Sequence, residues 1–143
     1  MNNNEFDSFK FISAQTHTYE KALKEIKNGK KRTHWMWFIF PQLRGLGMSN
    51  MAYKYGIADL DEAKAYLAHD VLGARLIEIS TELLKLEESN PEIIFGNIDA
   101  MKLRSSMTLF SLVSEKDSVF HRVLQKFFKG KSDAKTLKLL ASE

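Results

Sequence analysis

Residues 30–50 read KKRTHWMWFIFPQLRGLGMSN, and the interpretation of this stretch decides the fold class. It contains three consecutive cations, a histidine, both tryptophans of the chain and a loop with two glycines. The apolar residues from Trp35 to Phe40 favour strands, but a strand needs a partner and no other segment alternates with period two. The stretch therefore predicts a short buried helix that ends near Phe40, where Pro41 favours extended backbone in its predecessor.

The composition of the 143-residue chain is typical of one globular domain. The 44% hydrophobic share is enough for one buried core, and the net charge of +3 suits an anionic partner without requiring one. The absence of cysteine excludes disulfides and zinc–thiolate sites. No apolar run is long enough for a membrane span or a secretory signal. We therefore expect a cytoplasmic protein of bacterial type, with no membrane partner, a disordered segment over residues 1–6 and a single helical domain over residues 7–143.

Helical periodicity dominates the rest of the chain. The clearest helix is predicted to open at Asp70 and to bury one apolar face. The members of that face are Leu72, Leu76, Ile79, Leu83 and Leu86. A later helix has apolar residues on more than one face over residues 101–113 and is predicted to be central, and the last helix is predicted to turn Leu137 and Leu140 inward. Predicted helix caps are Ser49, one of Asp59 and Asp61, and one of Ser132 and Asp133. The sequence thus predicts an all-α, compact single-domain orthogonal bundle of about seven or eight short helices.

Several segments carry a resemblance to a known family. They are KKRTHWMWFIFPQLRGLG (residues 30–47), YGI (55–57), YL (66–67), LGARL (72–76) and KLRSSMTLF (102–110). In these segments, and over residues 9–140 as a whole, the chain resembles the bacterial family called domain of unknown function 1810, some members of which carry the label calpastatin. The resemblance implies a compact, mainly helical domain and no established activity. The C-terminal half also has a distant likeness to domains thought to process NAD-derived ADP-ribose.

Candidate ligand-binding residues lie in and around the aromatic run. Arg32 offers a planar fork that suits phosphate, although cations that follow a helix also answer its dipole. His34 suits proton transfer or a hydrogen bond to an anion, and equally suits packing at the edge of an apolar run. Trp35 and Trp37 are able to stack on a base, but we expect at least one of them to pack in the core.

The loop after the aromatic run is a second candidate. Gly45 and Gly47 leave backbone N–H groups free to form an anion-binding nest beside Arg44. A plain loop followed by a helix cap explains the same residues. The dinucleotide-binding fingerprint is excluded, because Asn50 stands where its third glycine belongs.

The third candidate lies at the start of the predicted central helix. Lys102 and Arg104 oppose the dipole of that helix, and Ser105 follows them. Either a buried carboxylate or a bound anion would answer these cations. If a bound anion answers them, we expect Arg44 and Arg104 to line one concave site, with Trp35 or Trp37 in its wall.

No catalytic motif with known mechanics is present, so the sequence leaves open whether the protein is an enzyme. It predicts no metal and no cofactor, and it gives no oligomeric state. The leading hypothesis is that a basic and aromatic pocket binds a small anionic ligand, nucleotide-like or related to ADP-ribose. A non-catalytic protein-interaction module is the alternative, and RNA binding is third. We do not expect nucleic acid to be a partner. On our interpretation, basic residues are spread among acidic ones along every predicted helix, and no recognition helix stands out.

Overall fold

In the computed structural model, which describes residues 6–142, the chain folds into nine α-helices and no strand within that range. The helices are α1 (Ser8–Gln15), α2 (Tyr19–Lys27), α3 (Met36–Ile39), α4 (Asn50–Tyr55), α5 (Leu60–Ala68), α6 (Leu72–Lys85), α7 (Pro91–Ser111), α8 (Val119–Phe128) and α9 (Ala134–Ala141). The predicted all-α class is therefore confirmed, with a helix count slightly above the seven or eight that the sequence predicted.

The aromatic run forms the short buried helix that the sequence predicted. α3 is a single turn that ends at Ile39, and Trp35 and Phe40 on either side of it lie in the core. After Pro41 the backbone is extended and makes an isolated parallel bridge between Leu43 and Ile57. This bridge fixes the start of the glycine loop against the segment that follows α4.

α7 is the central helix, and it is interrupted once. It contacts α5, α8 and α9, and Leu103, Met107 and Phe110 are fully buried. Gly96 has φ 80° and ψ 170°, a conformation that glycine adopts without steric cost, and it divides α7 into a short first segment and a long second one. The prediction that apolar residues would be buried on several faces is wrong for Met101 and Leu112, which are 65% and 47% exposed.

The helix caps are partly as predicted. Ser49 accepts a hydrogen bond from the Ala52 amide, and Asp59 and Asp133 cap α5 and α9 in the same way. α6 was predicted to open at Asp70, but it begins at Leu72, with Val71 at the N-cap position. The side chain that bonds the amides there is that of His69, whose Nδ1 accepts from Val71 and Leu72, each at 3.2 Å. An imidazole acceptor was missed because Asp is the commoner capping residue.

Of two predictions near the termini, one lies almost entirely outside the described residues and the other is wrong. The predicted disordered segment, residues 1–6, lies outside the described residues except for Phe6, whose ring is 6.0 Å from those of Phe11 and Tyr66. Leu137, predicted to face inward, is exposed, whereas Leu140 packs against the core. Over residues 6–142, no helix combines the length and the apolar character that crossing a membrane requires.

The buried face of α6 yields a stability prediction. Ile79 is 0% exposed, so Ile79→Ala should lower the free energy of unfolding by roughly 2–5 kcal/mol, through lost transfer energy and the cavity left behind. Ile77 lies on the same helix and is 44% exposed, so the matched Ile77→Ala change should cost no more than about 1 kcal/mol. Urea unfolding of both variants measures the difference, and equal effects would contradict the face assignment.

Candidate functional site

A groove runs between α7, the glycine loop and the start of α9, and we call it the α7–α9 groove. Its central part has a volume of about 360 Å³. The polar residues that line this part are Gln42, Lys102, Ser105, Asp133 and Lys135, and Gly47 lies among them. The apolar lining comes from Leu46, Ile98 and Met101. The groove thus combines cationic side chains with an apolar wall.

Two further concavities adjoin the α7–α9 groove through shared lining residues. The groove shares Gln42 and Lys102 with a narrow cavity of about 10 Å³, which Trp37 also lines. It shares Leu46 and Lys135 with a concavity of about 330 Å³. The residues that this concavity adds include Gly45, Lys138 and Leu139. Five of the predicted ligand-binding residues therefore lie along one surface feature: Trp37, Gly45, Gly47, Lys102 and Ser105.

Lys102 forms an ion pair with a carboxylate from its own helix. Its Nζ lies 3.7 Å from Asp99 Oδ1 and 5.3 Å from the centre of the Trp37 ring. Asp99 also pairs with Lys31, whose Nζ is 2.9 Å from Oδ2. Since one carboxylate is shared between two ammonium groups, the local charge around Lys102 stays positive.

Lys135 and Lys138 are two further cations, which were not among the predicted ligand-binding residues. Both are exposed, and neither forms an ion pair within residues 6–142. The nearby Asp133 caps α9 through Oδ2, which accepts from the Thr136 amide at 3.0 Å and from the Thr136 hydroxyl at 2.7 Å. The signal in the sequence was a helix with lysines three positions apart and no acidic residue.

Trp35 is a core residue that a buried carboxylate holds in place. Its Nε1 donates to Glu25 Oε1 at 2.9 Å, and the same oxygen accepts from the amides of Arg32 at 2.7 Å and Thr33 at 3.1 Å. Glu25 Oε2 accepts from the Thr33 hydroxyl at 2.6 Å. Trp35 is fully buried, so it forms no part of the groove wall.

These hydrogen bonds keep Glu25 ionised. Burial by itself raises the pKa of the carboxyl, but hydrogen bonds from Thr33, Arg32 and Trp35 outweigh it and lower the pKa from 4.5 to about 2. Four donors around one carboxylate supply what water would otherwise provide. The basic stretch before the aromatic run is therefore organised around an internal anion.

Arg32, His34, Arg44 and Arg104 do not line the α7–α9 groove. The side chains of Arg32 and His34 are exposed elsewhere. Arg44 donates from Nε to the Tyr53 carbonyl at 3.0 Å, and its guanidinium lies 4.5 Å from the centre of the Tyr53 ring.

Arg104 is held by the segment between α8 and α9. Its Nε donates to the Lys131 carbonyl at 2.9 Å and its Nη2 to the Ser132 carbonyl at 3.0 Å. The expected concave site shared by Arg44 and Arg104 is therefore not formed, because backbone carbonyls on different segments engage the two guanidinium groups. Within residues 6–142, no group of three His, Asp or Glu side chains is arranged to hold a metal ion.

Because Glu25 is buried and ionised, the free energy of unfolding should vary with pH in the acidic range. Because its pKa is lower in the folded state than its ordinary value of 4.5, the stabilisation is complete well above pH 4.5 and is lost as the pH falls towards about 2. Between pH 7 and pH 3, the parent should lose about 2 kcal/mol more than Glu25→Gln, which keeps an acceptor oxygen without the charge.

Urea unfolding at the two pH values measures this difference. Glu87→Gln is the matched control, because Glu87 is exposed and should leave the pH dependence of the parent unchanged. The same pH dependence in the Glu25 variant as in the parent would show that the carboxylate does not carry this stabilisation.

Comparison with known proteins agrees with the fold. Residues 5–140 match the family described as protein of unknown function (DUF1810). The structure is similar to that of the conserved hypothetical protein Rv1873 from Mycobacterium tuberculosis, with a TM-score of 0.92 and 46% sequence identity, over 95% of this chain and 97% of that chain. No curated protein matches the sequence. Since the family match covers nearly all of its length, the chain belongs to the DUF1810 family.

Proposed function

We propose that this cytoplasmic protein binds a small anionic ligand, nucleotide-like or related to ADP-ribose, in the α7–α9 groove. One observation carries the proposal: Lys102, Lys135 and Lys138 come from two helices and line the α7–α9 groove and the concavity that adjoins it at Leu46 and Lys135. Lys135 and Lys138 have no carboxylate partner within residues 6–142. An anion in the groove would supply the negative counter-charge that these two lysines lack.

The shape of the groove suits a ligand with both charged and apolar parts. Its central volume of about 360 Å³ falls in the range of small-molecule sites. Ile98 is 71% exposed and lies beside Met101 on the α7 wall, so the apolar part of a ligand would cover surface that now faces water. Gln42 and the backbone of Gly47 supply polar groups that orient a ligand.

The proposal is one of binding and includes no reaction. Asp133 is the carboxylate in the lining, and its Oδ2 accepts both hydrogen bonds that cap α9. The Ser105 hydroxyl donates to the Met101 carbonyl at 3.1 Å, an ordinary contact of a helical serine. The lining residues therefore offer charge and shape without a paired nucleophile and base.

Titration calorimetry with ADP-ribose, AMP and ribose 5-phosphate tests the proposal. The double variant Lys135→Gln with Lys138→Gln should weaken binding about tenfold or more, because each lysine contributes a charge-assisted hydrogen bond. Lys21→Gln with Lys24→Gln is the matched control, since these exposed lysines are also three positions apart on one helix. Equal loss in both double variants would contradict the proposed site.

A protein-interaction module is the second candidate. Met48 is 98% exposed, in the same loop as Gly45 and Gly47, and Met101 is also largely exposed. Exposed methionines of this kind are common on surfaces that bind other proteins. A calorimetric screen in which none of the three small anions binds would favour this function over the proposed one.

A further inference from the structure

The positive charge of the chain is concentrated in its last 28 residues. Residues 116–143 contain seven Lys or Arg and three Asp or Glu, a net charge of +4, whereas residues 1–115 contain 14 and 15, a net charge of −1. α8 and α9 contain no acidic residue. The interpretation that basic residues are spread among acidic ones therefore fails for this part of the chain.

Six exposed cations from this part form what we call the basic band. They are Lys116, Arg122, Lys129, Lys131, Lys135 and Lys138. Lys116 and Arg122 line an open groove of about 820 Å³ beside α8, which reaches Gly130 and Ser132. The α7–α9 groove begins at Asp133, the next residue along the chain. The segment 130–133 is thus the ridge between two grooves, and cations lie on the ridge and on both sides of it.

Hydrogen bonds with side chains of α7 hold the backbone of the ridge in place. Arg104 donates to the carbonyls of Lys131 and Ser132, and the Thr108 hydroxyl accepts from the Asp133 amide at 2.8 Å. Both of these side chains come from the central helix α7. Because the backbone of residues 131–133 is fixed, little ordering of the ridge is needed when an anionic partner binds.

Few of the band's charges are neutralised within the chain. Arg122 lies 3.5 Å from Asp117, in a pair whose two side chains are largely exposed. None of the other five cations forms an ion pair within residues 6–142. Lys126 also lines the larger groove but is not part of the band, because its Nζ donates to the carbonyls of Leu83 and Leu84 at the end of α6.

We propose that the basic band binds the phosphodiester backbone of nucleic acid without reading its bases. Six cations distributed over two grooves and a ridge extend beyond one small ligand, whereas a duplex presents one charge for about every 1.7 Å of its axis. Neither the open groove beside α8 nor the central part of the α7–α9 groove is lined by a Phe, Tyr or Trp among the described residues, so the band has no aromatic platform on which bases would stack. Binding should therefore be electrostatic, independent of sequence and sensitive to salt.

An anionic membrane surface is a poorer fit to the same charges. Membrane-bound helices insert an exposed apolar face between the lipids. The apolar residues of α8, including Phe120, Val123 and Phe127, are buried in the core. α8 therefore has no apolar face to insert, and α9 exposes one large apolar side chain, that of Leu137.

Fluorescence anisotropy with labelled 20-residue single-stranded RNA, single-stranded DNA and duplex DNA tests this inference at 50 and 200 mM KCl. If four to six phosphates are contacted, the affinity of the parent should fall about 10²- to 10³-fold between the two salt concentrations. The triple variant Lys116→Gln, Arg122→Gln and Lys131→Gln should bind at least tenfold more weakly at 50 mM and lose part of this salt dependence.

The matched control removes the same charge from exposed positions outside the band, with Lys21→Gln, Lys24→Gln and Lys64→Gln. It should change the affinity less than threefold, and circular dichroism should show all variants folded. If the band triple variant is unfolded, its three single variants are measured separately instead. Each should reduce the magnitude of the slope of log affinity against log salt concentration by about 0.9. Equal losses of oligonucleotide affinity in the band and control variants would overturn the inference. Absence of binding to every nucleic acid at 50 mM KCl would also overturn it, as would binding to phosphatidylserine vesicles alone. The comparison of single strands with duplex identifies which backbone is preferred.

This inference does not rest on the proposed small-ligand function. Lys116, Arg122 and Lys131 do not line the α7–α9 groove, so their triple variant should bind small anions as the parent does. Loss of oligonucleotide binding alone therefore reports on the band. Loss of small-anion binding in the Lys135 and Lys138 double variant reports on the groove.

Discussion

The buried carboxylate of Glu25 is the constraint on which the aromatic stretch depends. The segment between α2 and α3 has no regular secondary structure, so its amide groups need partners that a helix would otherwise supply. Glu25, in the last turns of α2, accepts from two of those amides and from the Trp35 indole. Because Trp35 immediately precedes α3, the same contact sets where that helix begins. The cationic sequence therefore surrounds an anion that belongs to the protein.

A second set of contacts, this one with α7, holds the same segment. The Lys31 amide donates to the Ile94 carbonyl at 2.8 Å, and its ammonium group pairs with Asp99. In an uninterrupted helix the Ile94 carbonyl would accept from the amide four residues later. The break at Gly96 releases that carbonyl for Lys31. A kink in the central helix and a loop near the N-terminal third of the chain thus satisfy each other's backbone groups.

Periodicity predicted the parts of the fold that local sequence determines. The stripe from Leu72 to Leu83 is buried as expected, and α3 ends where Pro41 required it to end. The sequence could not reveal which residue accepts the hydrogen bond of the buried Trp35 indole, because Glu25 has the spacing of an ordinary charged residue on a surface helix. The same limit applies to Arg104, whose carbonyl partners lie 27 and 28 residues away. Long-range polar contacts leave no periodic trace, so the cations were identified but most of their partners were not.

Arg104 links the two proposed surfaces although it lines neither groove. Its contacts fix the ridge, and the ridge sets the distance between the larger groove and the α7–α9 groove. Lys135 and Lys138 belong to both the basic band and the groove, so a polyanion on the band would compete with a small anion for these two charges. By linkage, each ligand would then lower the affinity for the other by the same factor. A nucleic acid partner would therefore release a small ligand held by those lysines, with no change in the fold.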